Sequence, residues 1–200
     1  MTGQTSAMMA LRDPDIRLML RVRRGDEPAF AELVEKFQHR LVGILQHMVG
    51  NHQEAEDLAQ EVFLRVYRTR AHYSPKAKFS TWLFTIANNL ALNAIRNRKR
   101  RRTQDIDAQE SHLMPANRGP APTQHLAETE LSGVIREALD TLSERQRMAL
   151  VLNKFEEMSY EDIATVMGLT TKAVKSLLSR ARDSLREKLQ GYIHPEANGS

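Results

Sequence analysis

Residues 79–102 read FSTWLFTIANNLALNAIRNRKRRR, a stretch that opens aromatic and apolar and ends almost entirely in arginine and lysine. Apolar residues recur at a spacing of three and four, which predicts a helix with Ser80 as its N-cap. Its apolar face comprises Trp82, Leu83, Ile86, Ala87, Leu90, Ala94 and Ile95, and its opposite face comprises Thr85, Asn88, Asn89, Asn93 and Arg96. Amides read base edges and cations neutralise phosphates, so the stretch indicates a nucleic-acid-binding helix. A core helix with a solvated basic end explains the same pattern.

The composition is that of a soluble helical protein. Of the 200 residues, 41% are hydrophobic and 27% are charged, and the formal net charge is +4. The chain has no cysteine, which excludes disulfides and thiolate catalysis and fits a reducing cytoplasm. No apolar run approaches the roughly 20 residues of a membrane span, and the first residues do not resemble a secretion signal. Because glycine is sparse and strand-like alternation is absent, we expect an all-α protein. The lack of cysteine, of a membrane span and of a secretion signal leads us to expect a cytoplasmic one.

Three helices are predicted before residue 79. The first opens at Pro14 and ends at Gly25, and the second begins after an N-cap at Asp26 and ends at Gly50. The third spans residues 54–68, EAEDLAQEVFLRVYR, with a buried apolar stripe and an acidic outer face.

The acidic outer face of the third helix has two explanations from sequence alone. Acids in a first turn suit the positive end of the helix dipole, but Gln60 and Glu61 lie beyond that turn. A metal site built from His52, Glu56 and Asp57 matches no familiar ligand spacing. We therefore expect neither a metal nor a cofactor.

Residues 69–78 form an irregular stretch with the aromatic and basic residues His72, Tyr73, Lys76 and Lys78. Such a loop beside a basic helix suits unstacked single-stranded bases, although an ordinary connector would look the same. Residues 103–127 contain three prolines and no apolar period, which indicates a flexible linker. The linker divides the chain into a first domain at 13–102 and a second at 128–191.

The second domain carries a helix-turn-helix pattern. A short helix from Tyr160 stops at Gly168, and a longer basic helix begins near Thr171. Ala164 is small where the two helices must cross, and Val174 supplies an apolar contact. This combination favours duplex DNA binding over a generic helical hairpin.

Four blocks in this order resemble the extracytoplasmic-function (ECF) sigma factors of bacterial RNA polymerase. The blocks are GDEPAFAELVEKF at 25–37, AEDLAQEVFLRVYR at 55–68, FSTWLFTIANNLALNAIRNRKRR at 79–101, and LSERQRMALVLNKFEEMSYEDIATVMGLTTKAVKSLLSRARDSLREKL at 142–189. The resemblance implies two small helical domains, a region 2 bundle and a region 4 helix-turn-helix, joined by a linker.

The resemblance also implies partners and contact residues. Asp57, Leu58, Gln60 and Glu61 match the surface that docks on a coiled coil of the polymerase beta-prime subunit, and the beta flap would pack on region 4. The residues that match the part of region 2 holding the −10 element are His72, Tyr73, Lys76, Lys78, Phe79, Trp82, Asn88, Asn89, Asn93, Arg96, Lys99 and Arg100. The residues that match the part of region 4 reading the −35 element are Ser159, Tyr160, Thr171, Lys172, Lys175, Ser176, Ser179 and Arg180, with the first two at a helix start suited to a phosphate. Family members are often restrained by an anti-sigma factor, which makes one a candidate partner here.

Three classes of function are therefore compared. The first is a sigma factor that binds core RNA polymerase and performs no chemistry of its own. The second is a stand-alone helix-turn-helix transcriptional regulator, which would not need the acidic third helix. The third is a helical enzyme acting on nucleic acid, but no phosphate loop, convergent carboxylates or nucleophile with a base can be found.

Overall fold

The structure is a computed structural model that describes residues 12–108 and 126–193, and no strand occurs among them. The all-α prediction is confirmed. The helices are α1 (Pro14–Arg23), α2 (Glu27–Val49), α3 (His52–Thr69), α4 (Phe79–Ala108), α5 (Leu126–Asp140), α6 (Glu144–Lys154), α7 (Tyr160–Met167) and α8 (Thr171–Ile193), with a 3-10 turn at Arg70–His72. The described residues divide into two compact units, one built by α1 to α4 and the other mainly by α5 to α8. Within them, no helix is both long enough and apolar enough to span a bilayer.

Local sequence signals set the helix ends of the first unit. Asp26 caps α2 by accepting a hydrogen bond from the Ala29 N–H at 3.0 Å. That bond, followed by the hydrogen bond from Arg21, lowers the pKa of the Asp26 carboxyl. Gly50 ends α2 at a φ of 75°, in the left-handed region that glycine adopts without strain. Both predicted helix ends are therefore confirmed.

Helix α4 differs from its prediction at both ends. It begins at Phe79, so Ser80 lies inside the first turn and the predicted Ser80 cap is wrong. At its other end α4 continues through Thr103 to Ala108. Arginine and lysine favour helix, and no proline interrupts the chain between Phe79 and Pro115. The linker boundary predicted after Arg102 is therefore too early. The predicted linker residues 109–125 lie outside the described part of the chain.

The second unit also follows its local signals. Ser143 and Gln146 form a reciprocal capping box, in which each side chain accepts a hydrogen bond from the other's backbone N–H. Gly168 follows α7 at a φ of +63°, and the Leu169 N–H donates to the Ala164 carbonyl at 2.9 Å. Helix α8 packs against α5 and α6. The tight glycine turn and the long helix after it are thus present as predicted.

Candidate nucleic-acid and protein interfaces

The outer side of α3 carries a mixed acidic and apolar surface. Asp57 and Gln60 are exposed, Leu58 and Glu61 are half-buried, and Glu61 pairs with Arg65 at 2.9 Å. Leu64 lies one turn beyond Gln60, and 48% of it is exposed to solvent. We call Asp57, Gln60, Glu61 and Leu64 the docking face. An exposed leucine one turn from an acidic side chain suits a protein partner, and sequence reasoning missed it.

The start of α3 does not assemble a metal site. His52 Nε2 lies 3.3 Å from Glu56 Oε1, and its Nδ1 lies 3.1 Å from Gln46 Oε1. Across residues 12–108 and 126–193, no three histidine, aspartate or glutamate side chains converge as ligands. Glu54 instead pairs with a cation from α4.

The aromatic residues of the loop before α4 point into the protein. Tyr73 is 4% exposed and Phe79 is fully buried. Their rings pack on neighbours, with centroid distances of 4.8 Å for Tyr73–Trp82 and 5.3 Å for Phe79–Phe37. In this structure both rings build the core, and the predicted contact of Tyr73 and Phe79 with DNA stays a prediction. Trp82 remains half-buried, and His72, Lys76 and Lys78 are exposed.

The environment of Tyr73 predicts a pH dependence. Burial, followed by the carboxylates of Asp13 and Asp15, raises the pKa of its phenol, whose hydroxyl has no hydrogen-bond partner. Because the folded pKa lies above the usual value of about 10, Tyr73 should cost folding stability as the pH rises above 10, by up to about 1.4 kcal/mol per unit. Tyr73→Phe should match the parent near pH 8 and unfold at higher denaturant concentration than the parent above pH 10. Identical alkaline losses in both proteins would contradict this.

The amide face of α4 is smaller than its sequence suggests. Asn89, Asn93 and Arg96 are exposed, but Asn88 is 3% exposed and its Oδ1 has no hydrogen-bond partner. Asn88 follows Phe84 by four positions and precedes Ala91 by three, so it shares their buried side of the helix. Asn88 therefore lies away from the exposed amides of α4, and its predicted contact with bases stays a prediction.

The cations of the basic run that follows differ in their contacts. Arg98 turns inward: its Nη1 donates to the Val49 carbonyl at 3.1 Å and pairs with Glu54 at 3.2 Å. It thereby ties α4 to the junction of α2 and α3. Lys99, Arg100 and Arg101 are exposed and remain suited to phosphates.

Helix α8 presents a polar face opposite its packed side. Val174, Leu178 and Ala181 are fully buried. The exposed residues on the opposite side are Lys172, Lys175, Ser176, Ser179 and Arg180, which we call the recognition face. The neighbouring Thr171 is also exposed, and Thr170 caps α8 by accepting from the Ala173 N–H at 3.2 Å. Such a face can enter a major groove without disturbing the core.

The start of α7 is already occupied by a carboxylate. Ser159 Oγ accepts from the Asp162 N–H at 3.1 Å and donates to Asp162 Oδ2 at 2.9 Å. The negative charge of Asp162 in this first turn opposes the phosphate predicted there from Ser159 and Tyr160. The half-buried Tyr160 hydroxyl accepts from Arg182 at 3.3 Å.

Comparisons with known proteins cover both units. The family Sigma-70 region 2 matches residues 33–101, and the family Sigma-70, region 4 matches residues 132–185. RNA polymerase sigma-H factor of Pseudomonas aeruginosa is 36% identical over 190 residues, which cover 92% of this chain and 98% of that relative. ECF RNA polymerase sigma factor SigW of Bacillus subtilis is 31% identical over 174 residues, or 84% of this chain and 93% of that relative.

Two solved structures resemble the fold. Sigma factor RpoE of Bartonella quintana, solved in complex with the anti-sigma factor NepR, has a TM-score of 0.64 at 29% identity and covers 80% of this chain and 96% of that chain. CnrH, solved in complex with the cytosolic domain of CnrY, has a TM-score of 0.69 and covers 90% of this chain and 99% of that chain. Its identity of 23% limits that comparison to the fold.

Proposed function

This chain belongs to the ECF sigma factors, which direct bacterial RNA polymerase to promoters, and we propose which of its surfaces performs each step. The chain binds core RNA polymerase and directs promoter-specific initiation of transcription. The observation that carries the division of labour is that three different helices carry three kinds of surface. These are the docking face on α3, the exposed cations Lys99, Arg100 and Arg101 on α4, and the recognition face on α8. We propose that the chain acts in the cytoplasm and leaves bond formation to the polymerase.

Run-off transcription with core RNA polymerase and genomic fragments tests this function. The full chain should produce discrete transcripts that core polymerase alone does not make. A stand-alone regulator would bind duplex DNA without associating with core. Duplex binding with no association with core and no transcripts would therefore favour that alternative.

We propose that the recognition face enters the major groove of the −35 element. Its five side chains are exposed, and they combine four hydroxyl or ammonium donors with a guanidinium that can bind guanine at two atoms. The buried stripe of α8 holds this face at a fixed angle on its own unit. The polymerase beta flap is the proposed protein partner of that unit.

Single alanine substitutions in the recognition face should weaken binding to a duplex −35 site. Lys175→Ala and Arg180→Ala, made separately, should each cost about 1–3 kcal/mol if the side chain contacts a base. Both residues are exposed, so folding should be unaffected. Lys188→Ala is the matched control, because it removes the same charge from the same helix about two turns beyond Arg180. Fluorescence anisotropy with labelled duplex measures the loss, and equal losses for Lys188→Ala would indicate nonspecific attraction only.

We propose that the loop and α4 hold the opened strand of the −10 element. His72, Lys76 and Lys78 are exposed, and the half-buried Trp82 packs against Tyr73. Along α4, Asn89, Asn93 and Arg96 continue this surface toward the exposed cations Lys99 and Arg100. Cations and one aromatic ring are the groups that single strands require.

We propose that the docking face of α3 contacts the beta-prime coiled coil of the polymerase. Asp57 and Glu61 supply charge for a basic partner, and Leu64 supplies exposed apolar area at the end of the same face. An anti-sigma factor is a further candidate partner, supported by the complex of the Bartonella quintana relative with NepR. Such a protein would compete with the polymerase for exposed surfaces of this chain.

A further inference from the structure

Helix α1 is tied to both ends of the loop that leads into α4. At one end, Arg23 Nη1 donates to the Tyr73 carbonyl at 3.2 Å, across 50 positions of sequence. At the other end, the Phe79 N–H donates to Asp13 Oδ2 at 3.0 Å, across 66 positions. The donor Arg23 and the acceptor Asp13 lie at opposite ends of α1. The backbone of residues 73–79 is therefore fixed at two points to one short helix.

The Asp13 carboxylate joins the starts of two helices. Its Oδ1 accepts from the Asp15 N–H at 2.9 Å and caps α1, while its Oδ2 accepts from Phe79 and caps α4. The unsatisfied N–H groups and positive dipole ends of both helices thus converge on one negative group. Because one carboxylate serves both, the start of α4 cannot shift relative to α1 without breaking a cap.

Side-chain packing holds the same two loop ends. Tyr73 and Phe79 are buried, and their ring centroids are 6.4 Å apart. Between these anchors, Lys76 and Lys78 are exposed to solvent. The loop therefore has rigid ends and a cationic middle. A loop ordered in advance binds a ligand without the entropic cost of ordering it at that moment.

We propose that α1 is a strut that presets the loop 73–79 for capture of the unpaired promoter strand, with Asp13 and Arg23 as its positioning residues. The inference rests on the function proposed above for this loop. Asp13 cannot attract a phosphate, since its own charge is negative. It acts through the backbone of Phe79, and Arg23 acts through the carbonyl of Tyr73.

The binding experiment uses holoenzyme assembled from the full chain and core polymerase. The probe is a fluorescent single strand carrying the −10 element of a promoter mapped by run-off transcription. Asp13→Asn keeps the size of the side chain but leaves one acceptor for two N–H groups, and Arg23→Ala removes the donor to Tyr73. Each variant should bind the probe about ten-fold more weakly than the parent, the loss that one charge-assisted hydrogen bond can cause. Arg24→Ala, which removes the neighbouring exposed charge, should bind like the parent.

Two further readouts separate positioning from general stability. Core affinity should be unchanged in both variants, because α3 carries the docking face of the same unit. Hydrogen exchange of the free chain should be faster across residues 74–83 in Asp13→Asn and unchanged there in Arg24→Ala. The salt dependence of probe binding should also be unchanged in Asp13→Asn, since no phosphate contact is removed.

The outcomes distinguish the strut from the function of the loop. Parent-like probe binding by both variants would overturn the strut, as would a loss of core affinity in the same proportion as probe affinity. If the parent holoenzyme itself fails to bind the probe, the proposed function of the loop is wrong, and so is the proposed role of α1. Weaker capture with unchanged core affinity and faster local exchange would support the strut.

Discussion

Asp57→Lys combined with Glu61→Lys should weaken association with core RNA polymerase by about 2–5 kcal/mol, the cost of disrupting a desolvated charged contact. Both carboxylates lie on the docking face of α3. The chain should remain folded, because the interactions that these carboxylates make are exposed. Glu61 pairs with Arg65 on the surface, and Asp57 lies 3.5 Å from the Gln53 amide. Surface pairs of this kind contribute at most about 1 kcal/mol to stability.

A matched control separates the docking face from net charge. Glu32→Lys combined with Glu35→Lys makes the same charge change on exposed positions of α2 in the same unit. Titration of labelled chain with core polymerase gives the affinity, and circular dichroism gives the unfolding midpoint. The control should bind core like the parent. Unchanged affinity in the α3 variant, or an equal loss in the control, would remove α3 from the polymerase contact.

The sequence predicts those features that depend on residues within about four positions of each other. The cap at Asp26 and the glycine turns at Gly50 and Gly168 belong to this class, because each is completed by a neighbouring backbone group. The recognition face of α8 is exposed as expected for a similar reason. Buried Val174, Leu178 and Ala181 repeat at helical spacing, so residues on the opposite side of the helix, such as Lys175 and Ser179, must face outward.

Features set by distant contacts could not be predicted from the sequence. The cap of α4 comes from Asp13, which lies 66 positions away, so the nearby Ser80 was the better local candidate. Within the basic run, Arg98 has the same residue type as Arg100. Only the approach of the Val49 carbonyl and Glu54 assigns Arg98 a structural contact. Composition alone cannot separate the two roles.

Residue types that serve both cores and DNA surfaces also limit what the sequence predicts. Aromatic rings stack on bases and also fill cores, and amides read bases but can also be buried. Tyr73, Phe79 and Asn88 match DNA-contacting positions of the family, and the structure buries all three. In the loop, apolar residues follow no regular spacing, so the sequence does not indicate which side chains face inward.

Phe79→Ala should lower the free energy of unfolding by about 3–5 kcal/mol, the usual cost of deleting a buried phenylalanine ring. Phe79 is fully buried, and its ring centroid lies 5.3 Å from that of Phe37 and 5.9 Å from that of Trp82. Small domains are stable by about 5–15 kcal/mol, so the loss should be large in a denaturant titration. Phe79→Leu keeps most of the volume and should cost much less.

The same pair of variants tests whether the Phe79 ring also meets DNA. If the ring only packs in the core, Phe79→Leu should stay folded and its holoenzyme should capture the −10 single strand with the affinity of the parent. A base that stacked on the ring would lose about 1–3 kcal/mol when leucine replaced it. A stable Phe79→Leu variant with that loss of capture would show that the ring leaves the core to meet the opened strand, as its residue type first suggested.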